Sequence, residues 1–145
     1  MKARAWTTCV AILGLVCLSA APARAALGAL AAGLREVMED NVAAYDRGDV
    51  DATMRTIDSR SPDYAPTKQA VAEQVRDLGA KAELVDFVYM GHDDEFAVAR
   101  AKVKTTGKPG TGFTDNTVDA LLIFHQENGA WKLWSEQVLG VQVAK

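Results

Sequence analysis

The sequence predicts an α+β domain in which helices come first and a four-stranded antiparallel sheet comes after them. Three observations carry this. Apolar residues recur every three or four positions from Leu27 to Tyr45, the spacing of one helix face. After Gly79 the period drops to two, the spacing of a strand. Asn128-Gly129 then separates two alternating runs, a strong hairpin signal.

The first helix presents Leu27, Leu30, Ala31, Leu34, Val37, Met38, Val42 and Tyr45 on one face, with Arg35, Glu36, Glu39, Asp40 and Asp46 opposite. Gly48 ends it, and Asp49 caps a shorter helix running to about Ile57. Ser61-Pro62 stops the chain again. Pro66-Thr67 opens a third helix whose apolar face is Ala70, Val71, Val75 and Leu78. Strands are expected at Glu83 to Met90, Phe96 to Thr105, Thr117 to Gln126 and Trp131 to Val143, all rich in β-branched and aromatic residues. Their connections are short except for the glycine-rich stretch from Thr106 to Thr114.

The chain has 145 residues, 49% of them hydrophobic and 24% charged, which excludes a disordered chain, a collagen and a coiled coil. Its first 25 residues read as a secretory signal peptide. Lys2 and Arg4 lead an apolar stretch, and Pro22-Ala23-Arg24-Ala25 gives a small-x-small end, so cleavage is expected after Ala25. The strictly apolar part, Val10 to Leu18, is too short for a ~30 Å hydrocarbon core. That leaves residues 26–145 as one domain, secreted or periplasmic, with no membrane contact beyond the signal. Both cysteines, Cys9 and Cys17, lie in the removed segment, so the mature domain has no thiol. Val16, where a lipoprotein signal wants a small residue, argues against lipidation of Cys17. Removal takes three of the 16 basic residues and none of the 19 acidic ones, moving the net charge from −3 to −6. An acidic domain without a basic stretch excludes nucleic acid as a partner.

A two-residue Asn128-Gly129 loop sorts the sheet faces by alternation. One face carries Val118, Ala120, Leu122 and Phe124 with Leu133, Ser135, Gln137 and Leu139, and should meet the helices. The other carries an apolar group, Leu121, Ile123, Trp134 and Val138, too large to leave wet. A homodimer through that outer face is the expected explanation.

Several short motifs then line up along the chain. They are Ala44-Tyr45-Asp46-Arg47-Gly48-Asp49 at the end of the first helix, Ser61-Pro62 before the third, Asp115-Asn116 opening a strand, and Glu127-Asn128-Gly129-Ala130-Trp131-Lys132-Leu133-Trp134 at the last hairpin. In this order they resemble the nuclear transport factor 2-like superfamily, which includes SnoaL-like polyketide cyclases, ketosteroid isomerases and scytalone dehydratase. The likeness is strongest to its secreted bacterial members without assigned activity. It implies a cystatin-like cone: three N-terminal helices packed on a curved sheet of about four strands, with a pocket at one end and frequent dimerisation through the outer sheet face.

Two departures from the family's pattern count against steroid-isomerase chemistry. The position matching the catalytic tyrosine of ketosteroid isomerases is Asn41, and the position of the catalytic aspartate falls near Ala65. From the residues themselves, the candidate ligand contacts are Asn41 and Tyr45 on the inner helix face and Ser135 and Gln137 on the last strand. Asp86 is the one candidate catalytic carboxylate. One register places it beside Ala97, Ala99 and Ala101, facing a cavity; a register one residue different pairs it with Arg100. No metal or cofactor is expected. His92 and His125 sit on different strands, and Gly107 to Gly112 opens no helix that would cradle phosphate. The expected function is a pocket for a small, largely apolar molecule. The alternatives are a lyase or isomerase using a pocket carboxylate, and a dimeric interaction protein without a ligand.

Overall fold

The computed structural model describes residues 20–77 and 79–144. The elements are α1 (Ala20–Asp46), α2 (Val50–Arg55), α3 (Tyr64–Asp77), β1 (Lys81–His92), β2 (Phe96–Thr106), β3 (Asn116–Glu127) and β4 (Ala130–Val143). The strands form one antiparallel meander in the order β1-β2-β3-β4, with the helices on one face. The apolar run Val10 to Leu18, both cysteines and Leu78 lie outside the described residues. Among those described, no helix is long and apolar enough to cross a membrane.

The helix boundaries reflect local chemistry. Gly48 takes the left-handed conformation (φ 69°) that ends α1, and the Asp49 side chain accepts from the Ala52 N–H to cap α2. The third helix starts two residues earlier than the proline signal indicates. Pro66 sits in its first turn, where a missing N–H costs nothing. Leu34, Met38 and Val42 of α1 are buried against Ala97, Ala99 and Ala101 of β2 and against Ala120, Leu122 and Phe124 of β3. The helix backbone runs closest to β1 and β4, at the two edges of the sheet.

Asn128 and Gly129 both have positive φ, 53° and 81°, and the hairpin pairs Glu127 with Ala130 and Gln126 with Trp131. Two irregularities on β4 then reassign the faces of the residues beyond the hairpin. Phe124 pairs with Leu133 but Ile123 pairs with Ser135, leaving Trp134 as an extra residue; a second shift lies between Asp119 and Ala120. The first moves the side chains that follow it to the opposite face, until the second restores the alternation. Ser135 and Gln137, opposite Ile123 and Leu121, therefore fall on the outer face rather than the helix side. Val138, opposite the buried Ala120, falls on the inner face and leaves the expected outer patch. Glu136, opposite the buried Leu122, takes the inward place.

The first strand is bulged as well, between Leu84 and Asp86 and between Tyr89 and Gly91. Asp86 thereby pairs with Lys102, in neither of the two registers that alternation allows, and lies on the face away from the helices. The edge of β4 is partly covered by the α2–α3 connection. Ile57 bridges Leu133 in parallel, the Asp58 N–H donates to the Leu133 carbonyl (2.8 Å), and the Leu133 N–H donates to the Thr56 carbonyl (2.9 Å).

Candidate functional site

Between α1, α3 and the inner face of the sheet lies a cavity of about 450 Å³. Its apolar wall includes Met38 and Val42 from α1, Val71 from α3, Val103 from β2, and Val118 and Leu133 from β3 and β4. Phe113 from the glycine-rich loop adds to that wall. Gly107 is required there, because a Cβ at that position would come within 2.8 Å of the Phe113 ring.

Much of the polar lining is engaged within the protein. Asn41 Nδ2 donates to Thr56 Oγ1 (2.7 Å), and the Tyr45 hydroxyl reaches Gln74 Oε1 at 3.4 Å. Burial, with the neighbouring Asp46 charge, pushes the Tyr45 phenol above its usual value, so it remains a donor at neutral pH. Helical spacing places Asn41 and Tyr45 on the inner face, and both line the cavity.

The other sequence candidates are not brought to it. Ser135 lines an adjoining cavity of about 420 Å³, which shares Ile57, Thr67, Ala70, Leu133 and Glu136 with the first. Gln137 is exposed, and its side chain donates to the Val138 carbonyl (3.3 Å). Asp86 lies on the outer face opposite Lys102, where its charge reaches Arg100. Arg100 itself makes a bidentate pair with Asp119, at 2.7 and 2.6 Å. Asp86 therefore belongs to a surface ladder of charges and has no access to the cavity.

Glu136, which the alternation conceals, is the one carboxylate among the lining residues of the larger cavity. Solvent reaches its side chain through the open mouth, but the surrounding protein displaces enough water to push its carboxyl above the ordinary 4.5. Among the described residues, no hydrogen bond or opposite charge compensates it.

A second polar cluster, also hidden from sequence, sits where the α2–α3 connection passes the end of the sheet. The Asp58 side chain is fully buried and accepts from Arg60 Nε (3.2 Å), Arg60 Nη2 (3.1 Å) and the Arg60 backbone N–H (2.9 Å). His125 Nδ1 stands 2.7 Å from Asp58 Oδ2. Burial alone would raise this carboxyl, but the hydrogen bonds from Arg60 and His125 outweigh it and hold it at about 2. The His125 ring in turn packs against Phe96 (4.7 Å between centroids) and Trp134 (5.0 Å). Ser59 and Lys132 engage Glu127 beside it, and Ser61 Oγ donates to the Trp134 carbonyl at 2.6 Å. These groups satisfy one another and anchor the loop. Among the described residues no three His, Cys, Asp or Glu side chains are placed to hold a metal.

The meander and the three helices match solved structures of the same fold. A nuclear transport factor 2-like protein with a cystatin-like fold from Novosphingobium aromaticivorans superposes with a TM-score of 0.66 at 15% identity, covering 86% of this chain and 90% of that one. A candidate scytalone dehydratase from the same organism gives 0.65 at 11% identity, covering 85% and 92%. Rv3472, a protein of unknown function from Mycobacterium tuberculosis solved as a point variant, gives 0.69 at 9% identity, covering 86% and 76%. At these identities the likeness establishes the fold and nothing of the chemistry. Residues 36–143 match the anti-sigma-I factor RsgI9 C-terminal domain. The chain belongs to that family. Its matched region begins within α1 and ends with β4, so the RsgI9 C-terminal-domain family here has the nuclear transport factor 2-like, cystatin-like fold. No curated protein matches the chain.

Proposed function

We propose that this domain binds a small, largely apolar molecule in the cavity between α1, α3 and the sheet. The observation that carries the proposal is the open space itself: about 450 Å³ with a mostly apolar surface, within the size range of small-molecule sites. A protein acting only through its surfaces has no need to keep the inside of the cone empty. The direct test is titration with naphthylmethanol, a neutral aromatic probe. Saturable one-to-one binding is expected, and Val71→Trp, which fills the cavity from α3, should abolish it while the fold is retained. Equal binding by the filled variant would refute the proposal.

A secreted or periplasmic location is part of the same reading. Residues 23–29 of α1 are exposed, and inward packing against the core begins at Leu30. Of the residues that cleavage after Ala25 would remove, Ala23, Arg24 and Ala25 are exposed. A second reading, lyase or isomerase chemistry, has one observation in its favour: Glu136 lines the cavity and its carboxyl is pushed up by the surrounding protein, the direction a general acid or base needs. It requires turnover that disappears in Glu136→Gln.

A further inference from the structure

Shape alone does not distinguish one apolar molecule from another, and the charge pattern of the cavity bears on that choice. Among the described residues, the lining of the larger cavity holds no Lys, Arg or His, and its single charge is Glu136. The adjoining cavity, which shares Glu136, adds Asp63 and again no basic residue. Several amide and hydroxyl groups of the lining are already engaged: Asn41 with Thr56, Tyr45 with Gln74, Thr53 with the Asp49 carbonyl, and Asn116 with the Thr114 carbonyl. Glu136 has no such partner among the described residues. Glu136 stands at the solvent-open mouth of the cavity with its carboxylate uncommitted to any donor among those residues, so a ligand's donor can reach it.

We infer that the cavity selects molecules carrying a protonated amine on an apolar body, with Glu136 as the counter-ion, and rejects carboxylates and phosphates of the same shape. The apolar wall of Met38, Val42, Val71, Val103 and Val118 takes the body, and the ammonium donates to the Glu136 carboxylate. An anionic ligand meets a like charge with no lining cation to offset it. The bulge at Trp134 is what makes this possible. Regular alternation along β4 would have turned Glu136 to the outer face and presented neutral Ser135 and Gln137 to the cavity.

This inference rests on the ligand-binding reading, and a matched series of probes separates the two. Naphthylmethanol, naphthylmethylamine and naphthoate share one aromatic body and differ in charge. Isothermal titration at neutral pH should give the amine roughly 2- to 5-fold tighter binding than the alcohol, the range of an ion pair open to solvent. Naphthoate should bind more weakly than either. Glu136→Gln, which keeps the shape, should bring the amine to the level of the alcohol and improve naphthoate. If the alcohol binds and the amine gains nothing over it, the charge selection is wrong and the pocket reading stands. An amine preference that survives Glu136→Gln also overturns the inference, because the counter-ion then lies elsewhere. If none of the three binds, both readings fall. The wild-type series needs no variant, so a folding defect in Glu136→Gln would not shelter the inference.

Discussion

Asp58 and Glu136 are carboxylates that their surroundings treat in opposite ways. Glu136 has no compensating partner among the described residues, and desolvation pushes its carboxyl up. Asp58 has three hydrogen bonds from Arg60 and one contact with His125, and it is held at about 2. A carboxylate whose folded value lies below its ordinary 3.8 stabilises the fold above that pH and loses its contribution as pH falls toward 2. Asp58→Asn should therefore cost roughly 1.5–3 kcal/mol at neutral pH, the scale of hydrogen bonds to a charged group. It should also flatten the fall of melting temperature between about pH 4 and pH 2. Thermal melts of both proteins across that range check this, and an unchanged acid slope would show that Asp58 is not the group responsible. Neither carboxylate is legible in the sequence. The partner of Asp58 on β3, His125, is 67 residues away, and nothing local marks the pair. Asn41 and Tyr45, by contrast, can be placed because helical spacing fixes which residues share a face.

Among the elements, the division between legible and concealed runs through β4. Its start is readable because Asn128-Gly129 dictates the pairing of Glu127 with Ala130, a turn that needs positive φ at both central residues. The space around Gly129 is open, so Gly129→Ala should cost only conformational strain, roughly 1–2 kcal/mol, measurable by denaturant unfolding. Beyond Leu133 sequence and structure part for a definite reason. A bulge adds one residue without altering the alternation of side-chain types, and Trp134-Ser135-Glu136-Gln137 reads equally well in either register. The same mechanism displaces Asp86 on β1, where Val85 and Met90 are the extra residues and Asp86 comes to face Lys102. Helix order, strand order and strand number carry no such ambiguity, because the change of period after Gly79 survives any local slip.

For the molecule as a whole, the outer sheet face remains the place where a second copy is proposed to dock. With Val138 turned inward, the patch consists of Leu121, Ile123 and Trp134 on β3 and β4, joined by the exposed Val88 on β1. The Arg100–Asp119 pair lies on the same face and would set the register of a partner. Covering ~800 Å² per subunit is the usual scale of a stable association. Sedimentation equilibrium at tens of micromolar (an order-of-magnitude choice suited to such an interface) should give a dimer, and Ile123→Glu should give a folded monomer; a monomeric wild type would exclude the arrangement. The proposed ligand cavity lies on the opposite face, and amide correlation NMR during titration with naphthylmethanol tests it most directly. Saturable shifts are expected at Asn41, Tyr45, Val71, Val118 and Glu136, with Asp86, Arg100 and Ile123 unmoved. Shifts confined to the outer face, or none at saturating probe, would contradict ligand binding inside the cone.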